Sequence, residues 1–444
     1  MTADHRTTLS VASLGTFLVL VAYTTPMGAI ASTFAGLGVD VAGGAWVIAS
    51  MSIGLSATLI AAGALADRFG RRRAFIGGAL TLAAGSLLAA AAPSATIFIA
   101  ARIVQGIGGA ALTSSSLGLL GHTFSEPAAR AQASAIWAAS LGAGIAVGPL
   151  VAASFDVAGH WRFVHVLTAI IAVGAVVAAR SLSESRAAIV RTVDVAGTVL
   201  FAVGSSSLLA GLVMLRTGTP STGLAVVVGG VVGLVAFGAS QTRPAAMLPV
   251  SLFKRADFVA ATVGAVSAGL GIIALTSVLP VMLARGAGRS SIDAALLSLV
   301  WSAATVTSST LARRLPLSWA SRSRLTTALF IVGGGQLLLG LLDVDSGTWR
   351  YVPGLLISGV GTGLLNATLG REAVASVPAG QAALGSGANN TARYLAAAFG
   401  MTIASLVMGT SSGAEAMARW NIVVGVTASS SVLGALVVSR CRWT

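Results

Sequence analysis

Charge, acids, histidine and cysteine are all scarce in this sequence. Only 9% of its 444 residues are charged, 55% are apolar, and mean hydropathy is +0.90. A soluble domain is excluded, because most of its surface would have to be apolar. The single cysteine, Cys441, close to the end, excludes an intramolecular disulfide and suggests no thiol site. Four histidines (His5, His122, His160, His165) and 13 acids, none of them at mid-span depth, do not converge on a catalytic or metal centre. An enzyme is therefore disfavoured, and no metal or cofactor is expected. There is no phosphate-binding glycine loop for a primary pump, and no loop approaches the length of a sensor domain. The net charge of +14 comes from short basic clusters between apolar runs, without interleaved aromatics, which excludes nucleic acid as a partner.

Long apolar stretches and glycine are what the chain has in abundance. Glycine numbers 54, and small residues let helices approach closely in lipid. The pattern predicts an all-α polytopic membrane protein with fourteen spans near 10–34, 44–66, 74–92, 96–120, 131–154, 162–181, 193–215, 221–240, 257–284, 291–312, 324–342, 351–370, 384–409 and 419–440. Nineteen of the 27 basic residues then fall on the side of the termini and six on the other, with Arg102 and Arg393 inside spans. That bias places both termini in the cytoplasm. Span ten and "LARRLPLSWASRSRL" weakly repeat span two and its loop. This predicts a six-helix half at 1–181, a two-helix insert with linkers at 182–256, and a second half at 257–444.

The chain is organised around 63–73, "GALADRFGRRR", a short basic turn between two apolar helices. Asp67 can accept from the forks of nearby arginines or face a helix N-terminus, so the turn can lock to a neighbour and release it. Within span four, Arg102 opens "RIVQGIGGA", with Gln105 on nearly the same face and Gly106 thinning the wall. A guanidinium at that depth must face protein or water, so Arg102 is expected at the central cavity, free to pair with substrate, or else held by carbonyls. Span five carries "LGAGIAVGPLVAA", whose glycines and Pro149 bend the helix and admit a neighbouring backbone.

These three stretches resemble, in order, the signature loop, the arginine motif and the antiporter motif of the major facilitator superfamily. Fourteen spans, "TVDVAGTVLF" and "NNTARYLAAAFG" resemble its fourteen-spanner drug:proton antiporter branch. The resemblance implies a major facilitator fold of two six-helix halves plus the insert. It further implies a gating loop of Gly63, Asp67, Arg68, Gly70, Arg71 and Arg72, and proton transfer or substrate binding at Arg102, Gln105 and Gly106. Gly144, Gly148 and Pro149 would form a flexible interface between the halves.

Span one departs from that pattern. "LVAYTTPMGAIASTF" has Ala22 and Tyr23 where such relatives carry an aspartate. No proton carrier can be read off the sequence, and His165 beside Arg162 reads as an interface residue. Cavity-lining candidates are Phe17, Tyr23, Trp137, Trp301, Asn366, Asn390, Arg393 and Tyr394; Arg393, well inside span thirteen, needs a partner from Asn389, Asn390 or a substrate. The expected function is export of a small amphipathic compound by a monomer in the cell membrane, through proton antiport as the resemblance implies. A facilitator or symporter with other coupling is the alternative.

Overall fold

The computed structural model describes residues 3–124, 126–186, 193–217, 220–243, 246, 248–316, 319–378 and 382–441. The chain runs through α1 (Ala3–Gly28), α2 (Ile30–Leu37), α3 (Val41–Phe69), α4 (Arg71–Ala91), α5 (Ala95–Thr123), α6 (Pro127–Val157) and α7 (Phe163–Ala179). The insert forms α8 (Val195–Thr217) and α9 (Pro220–Ser240). Then come α10 (Ala256–Ala268), α11 (Ala274–Gly286), α12 (Ser291–Leu311), α13 (Ser321–Leu337), α14 (Val352–Ala375), α15 (Ala382–Met408) and α16 (Gly413–Arg440). Polar side chains start several of them. Asp40 accepts from the Gly43 amide (2.7 Å), and Ser290 with Asp293 forms a capping box on α12.

Two spans are interrupted, each for a local reason. Pro26 lies three residues before the break between α1 and α2, and its missing N–H leaves the Ala22 carbonyl without its helical donor. Between α10 and α11 the chain widens into a π-turn over Gly269–Ile273, where Gly269 meets the Arg393 carbonyl and Gly271 meets Ser431.

Twelve of the described helical stretches are long and apolar enough to cross a membrane, not fourteen. The shortfall falls on expected spans six and eleven. Their helices, α7 and α13, have 17 residues each, about 26 Å at ~1.5 Å per residue, against a hydrocarbon core of about 30 Å. The 187–192 stretch of the first linker and Arg442, both counted on the side of the termini, lie outside the described residues.

Among the early helices, α5 packs on α3 and α4, α6 on α1, and α7 on α4. Among the later ones, α14 packs on α12 and α13, and α16 on α13. The two groups meet chiefly along α3 with α15 and α6 with α12, while α8 lies against α3 and α15.

Candidate functional site

Arg102 is 1% exposed and donates in three directions. Nη1 reaches the Ala22 carbonyl (2.5 Å) and Gln105 Oε1 (2.8 Å), and Nη2 reaches the Tyr23 carbonyl (3.0 Å). The first of these acceptors is the carbonyl that Pro26 orphans. Gln105 in turn donates to Ser86 Oγ (2.8 Å) on α4. The arginine thus clamps broken α1 to α5 and α4 through charge-assisted bonds. It is the carbonyl-held arrangement; only Nε has no acceptor among the described residues. Gly106 allows α5 to cross α3 at Gly54 with almost no side chain between them.

Tyr23 carries the cluster across to the other helix group. Its hydroxyl shares a 2.8 Å hydrogen bond with Ser52 on α3, and its ring centroid lies 5.8 Å from that of Tyr394 on α15. Arg393, beside Tyr394, is half-buried and has no hydrogen bond or ion pair among the described residues. The asparagines expected as its partners are engaged elsewhere: Asn389 donates to the Ala261 carbonyl (2.9 Å) and Asn390 to the Ser386 carbonyl (3.1 Å).

Other expected cavity residues lie apart in role. Trp137 donates to Thr16 (2.7 Å), which ties α6 to α1. Trp301 is buried in α12 with no acceptor for its indole N–H among the described residues. Phe17 turns its carbonyl to Gly144, and Asn366 is half-buried on α14. His165 is buried edge-on against Phe98 and Trp161. In α6, Gly144 and Gly148 face α1, and the Pro149 carbonyl sits over Gly28 at the α1 break. The neighbour across the two helix groups is Val306, met by Gly142.

The 63–73 turn is locked by one residue the sequence did not single out, Glu184. Arg71 Nη2 and Nε donate to Asp67 Oδ1 (2.8 and 3.1 Å), and Nη1 donates to the Gly118 carbonyl (3.1 Å) on α5. The N-terminus of α4 is faced not by Asp67 but by Glu184, whose Oε1 accepts from the Arg72 amide (3.0 Å). The Ser185 carbonyl accepts from the Arg71 amide (2.9 Å), and Arg72 Nη1 donates to the Leu182 carbonyl (3.1 Å). Gly70 has φ +117°, and a Cβ there would lie 2.6 Å from the Glu184 carboxyl, so glycine is required twice over. A Cβ at Gly63 would meet only Ser114, at 3.9 Å. Arg68 lies over the Phe69 ring, 5.2 Å from its centroid. The signal for Glu184 was its isolation as the only acid in the segment after span six.

The probable actinorhodin transporter of Streptomyces coelicolor is 29% identical over 82% of this chain, which spans 65% of that protein's length, a little under two thirds. The multidrug efflux pump LfrA of Mycolicibacterium smegmatis is 28% identical over 89% of this chain and 79% of its own. The puromycin resistance protein pur8 of Streptomyces alboniger is 29% identical over 84% of this chain and 75% of its own. Among solved structures, the human organic anion transporter MFSD10 (TETRAN) shares the fold, with a TM-score of 0.66 at 18% identity over 98% of this chain and all of that one. A family model described as Major Facilitator Superfamily matches residues 12–401, and the chain, a multi-pass membrane protein, belongs to that superfamily of transporters.

Proposed function

We propose that this chain is a secondary active transporter that exports a small amphipathic compound, a drug or secondary metabolite, by alternating access. The observation that carries this is the meeting of two helix groups, along α3 with α15 and α6 with α12, around an interior bearing Tyr23, Arg393 and Tyr394. Residues 1–181 and 257–444 would rock as two halves about those contacts, with 182–256 as the insert. The relatives' names, an actinorhodin transporter and efflux or resistance proteins, support export of small compounds.

The short helices α7 and α13 would complete fourteen crossings, with flanking Trp161, Arg162 and Arg180 reaching the interfaces. Both termini would be cytoplasmic, in the cell membrane, and the protein would act as a monomer. The Asp67–Arg71–Gly118 contacts, backed by Glu184, would stiffen the inner gate of the first half.

Proton antiport is what the superfamily branch implies. A facilitator with other coupling is favoured by one observation: all 13 acids lie in loops, at caps or in the first or last turns of helices. Expression in a bacterial host lacking its own exporters should lower accumulation of amphipathic antibiotics. Accumulation equal to the empty host across a broad panel would contradict export.

A further inference from the structure

Building on export as the function, we propose that the cargo is an organic anion bound by Arg393, so that the inside-negative membrane potential drives its expulsion without a proton carrier. Arg393 is half-buried near the middle of α15. Its guanidinium has no protein acceptor among the described residues, and Asn389 and Asn390 are committed to carbonyls. An arginine in a membrane interior that no protein group neutralises calls for a partner of another kind. A planar fork fits a carboxylate or sulfonate through two parallel hydrogen bonds. One residue along, Tyr394 and Tyr23 offer rings for an aromatic body, and Met401 lies 4.0 Å from the Tyr23 hydroxyl.

The charges around this point select sign. Arg102 and Arg393 are the two basic residues deep within spans, and no acid lies at their depth. A lipophilic cation would therefore enter a positive interior with no carboxylate to receive it, whereas an anion completes Arg393. Charge also supplies the driving force. An inside-negative potential of about 100 mV favours expulsion of a monovalent anion by roughly fifty-fold. The aspartate missing from span one is then not needed, because the cargo itself carries the charge that couples transport to the potential.

The test uses dansylglycine, an aromatic monocarboxylate, and ethidium, an aromatic cation, with the full chain in proteoliposomes and nanodiscs. Wild type should release dansylglycine at least ten-fold faster under an inside-negative potassium diffusion potential, with no response to a pH gradient at zero potential. Arg393→Gln should bind dansylglycine at least ten-fold more weakly at unchanged melting temperature, and Arg393→Lys should recover part of the loss. Equal dansylglycine binding by wild type and Arg393→Gln, or no binding by wild type, would overturn the anion site. Movement of ethidium but not dansylglycine would keep export and remove the anion. Dansylglycine binding that depends on Arg393, with no transport of either dye, would keep the site and overturn potential-driven export.

Discussion

Arg102 and Arg393 are the same side chain at mid-span, yet one donates to three acceptors and the other to none among the described residues. The difference is made by Pro26. A proline within α1 leaves the Ala22 carbonyl free, so the first half contains a ready acceptor for a buried guanidinium. The second half breaks its corresponding first helix differently, through a π-turn whose Gly269 packs on the Arg393 carbonyl and leaves the Arg393 guanidinium alone. A mid-membrane arginine is thus a functional residue only when its own fold does not already satisfy it. In the first half the charge is spent on architecture; in the second it is available.

The largest effect that would break this comparison is Arg102→Ala. It strands the Ala22 and Tyr23 carbonyls and Gln105, each costing about 1–3 kcal/mol when buried and unpaired. Melting temperature in detergent should fall steeply and export should cease, with Arg102→Lys intermediate because an ammonium lacks the fork. If Arg102→Ala melts like wild type, the clamp does not exist. Pro26→Ala sharpens the point, since it restores a backbone N–H that can donate to the Ala22 carbonyl. In a double-mutant cycle it should reduce the cost of Arg102→Ala by roughly 1 kcal/mol, and strict additivity would count against the shared acceptor.

Gly70→Ala should come next. It forces a left-handed backbone on a residue with a Cβ, at about 1–3 kcal/mol, and pushes Glu184 from the α4 N-terminus. Gly63→Ala, in the same turn, should stay within about 0.5 kcal/mol, because only Ser114 lies near. Equal losses from the two would mean that the turn is held by its helices and not by Glu184. Asp67→Asn should cost little stability, roughly 1 kcal/mol or less for a pair that keeps some exposure, while lowering turnover. Unchanged turnover at equal expression would reduce the loop to an orientation signal.

Much of this was legible in the sequence because the signals were local. Apolar runs located the helices, and the superfamily resemblance rested on "GALADRFGRRR" and "RIVQGIGGA". The α13 length was overestimated because apolar Leu338 and Leu339 continue past the last helical turn, and the α7 length because the span was carried on through Arg180 and Ser181. What could not be read was long-range. Pro26 stood three residues from Tyr23, but nothing local says that its orphaned carbonyl is met by Arg102, 80 positions away. Glu184 is 112 positions from the amide it accepts, and only the packing of α7 on α4 brings them together. Of the alternatives open for Arg102 the structure takes the carbonyl-held one, and among the described residues neither Asn389 nor Asn390 partners Arg393. Carbonyl acceptors leave no trace in side-chain identity.

The division of labour between the two arginines is tested most directly by ligand-induced thermal shift. Melting temperatures of wild type, Arg102→Lys and Arg393→Gln would be measured with and without dansylglycine. Arg102→Lys should start lower and still gain stability on adding the ligand, whereas Arg393→Gln should start at the wild-type value and gain none. A full ligand shift in Arg393→Gln, or an Arg102→Lys variant that melts normally but loses the shift, would contradict the account.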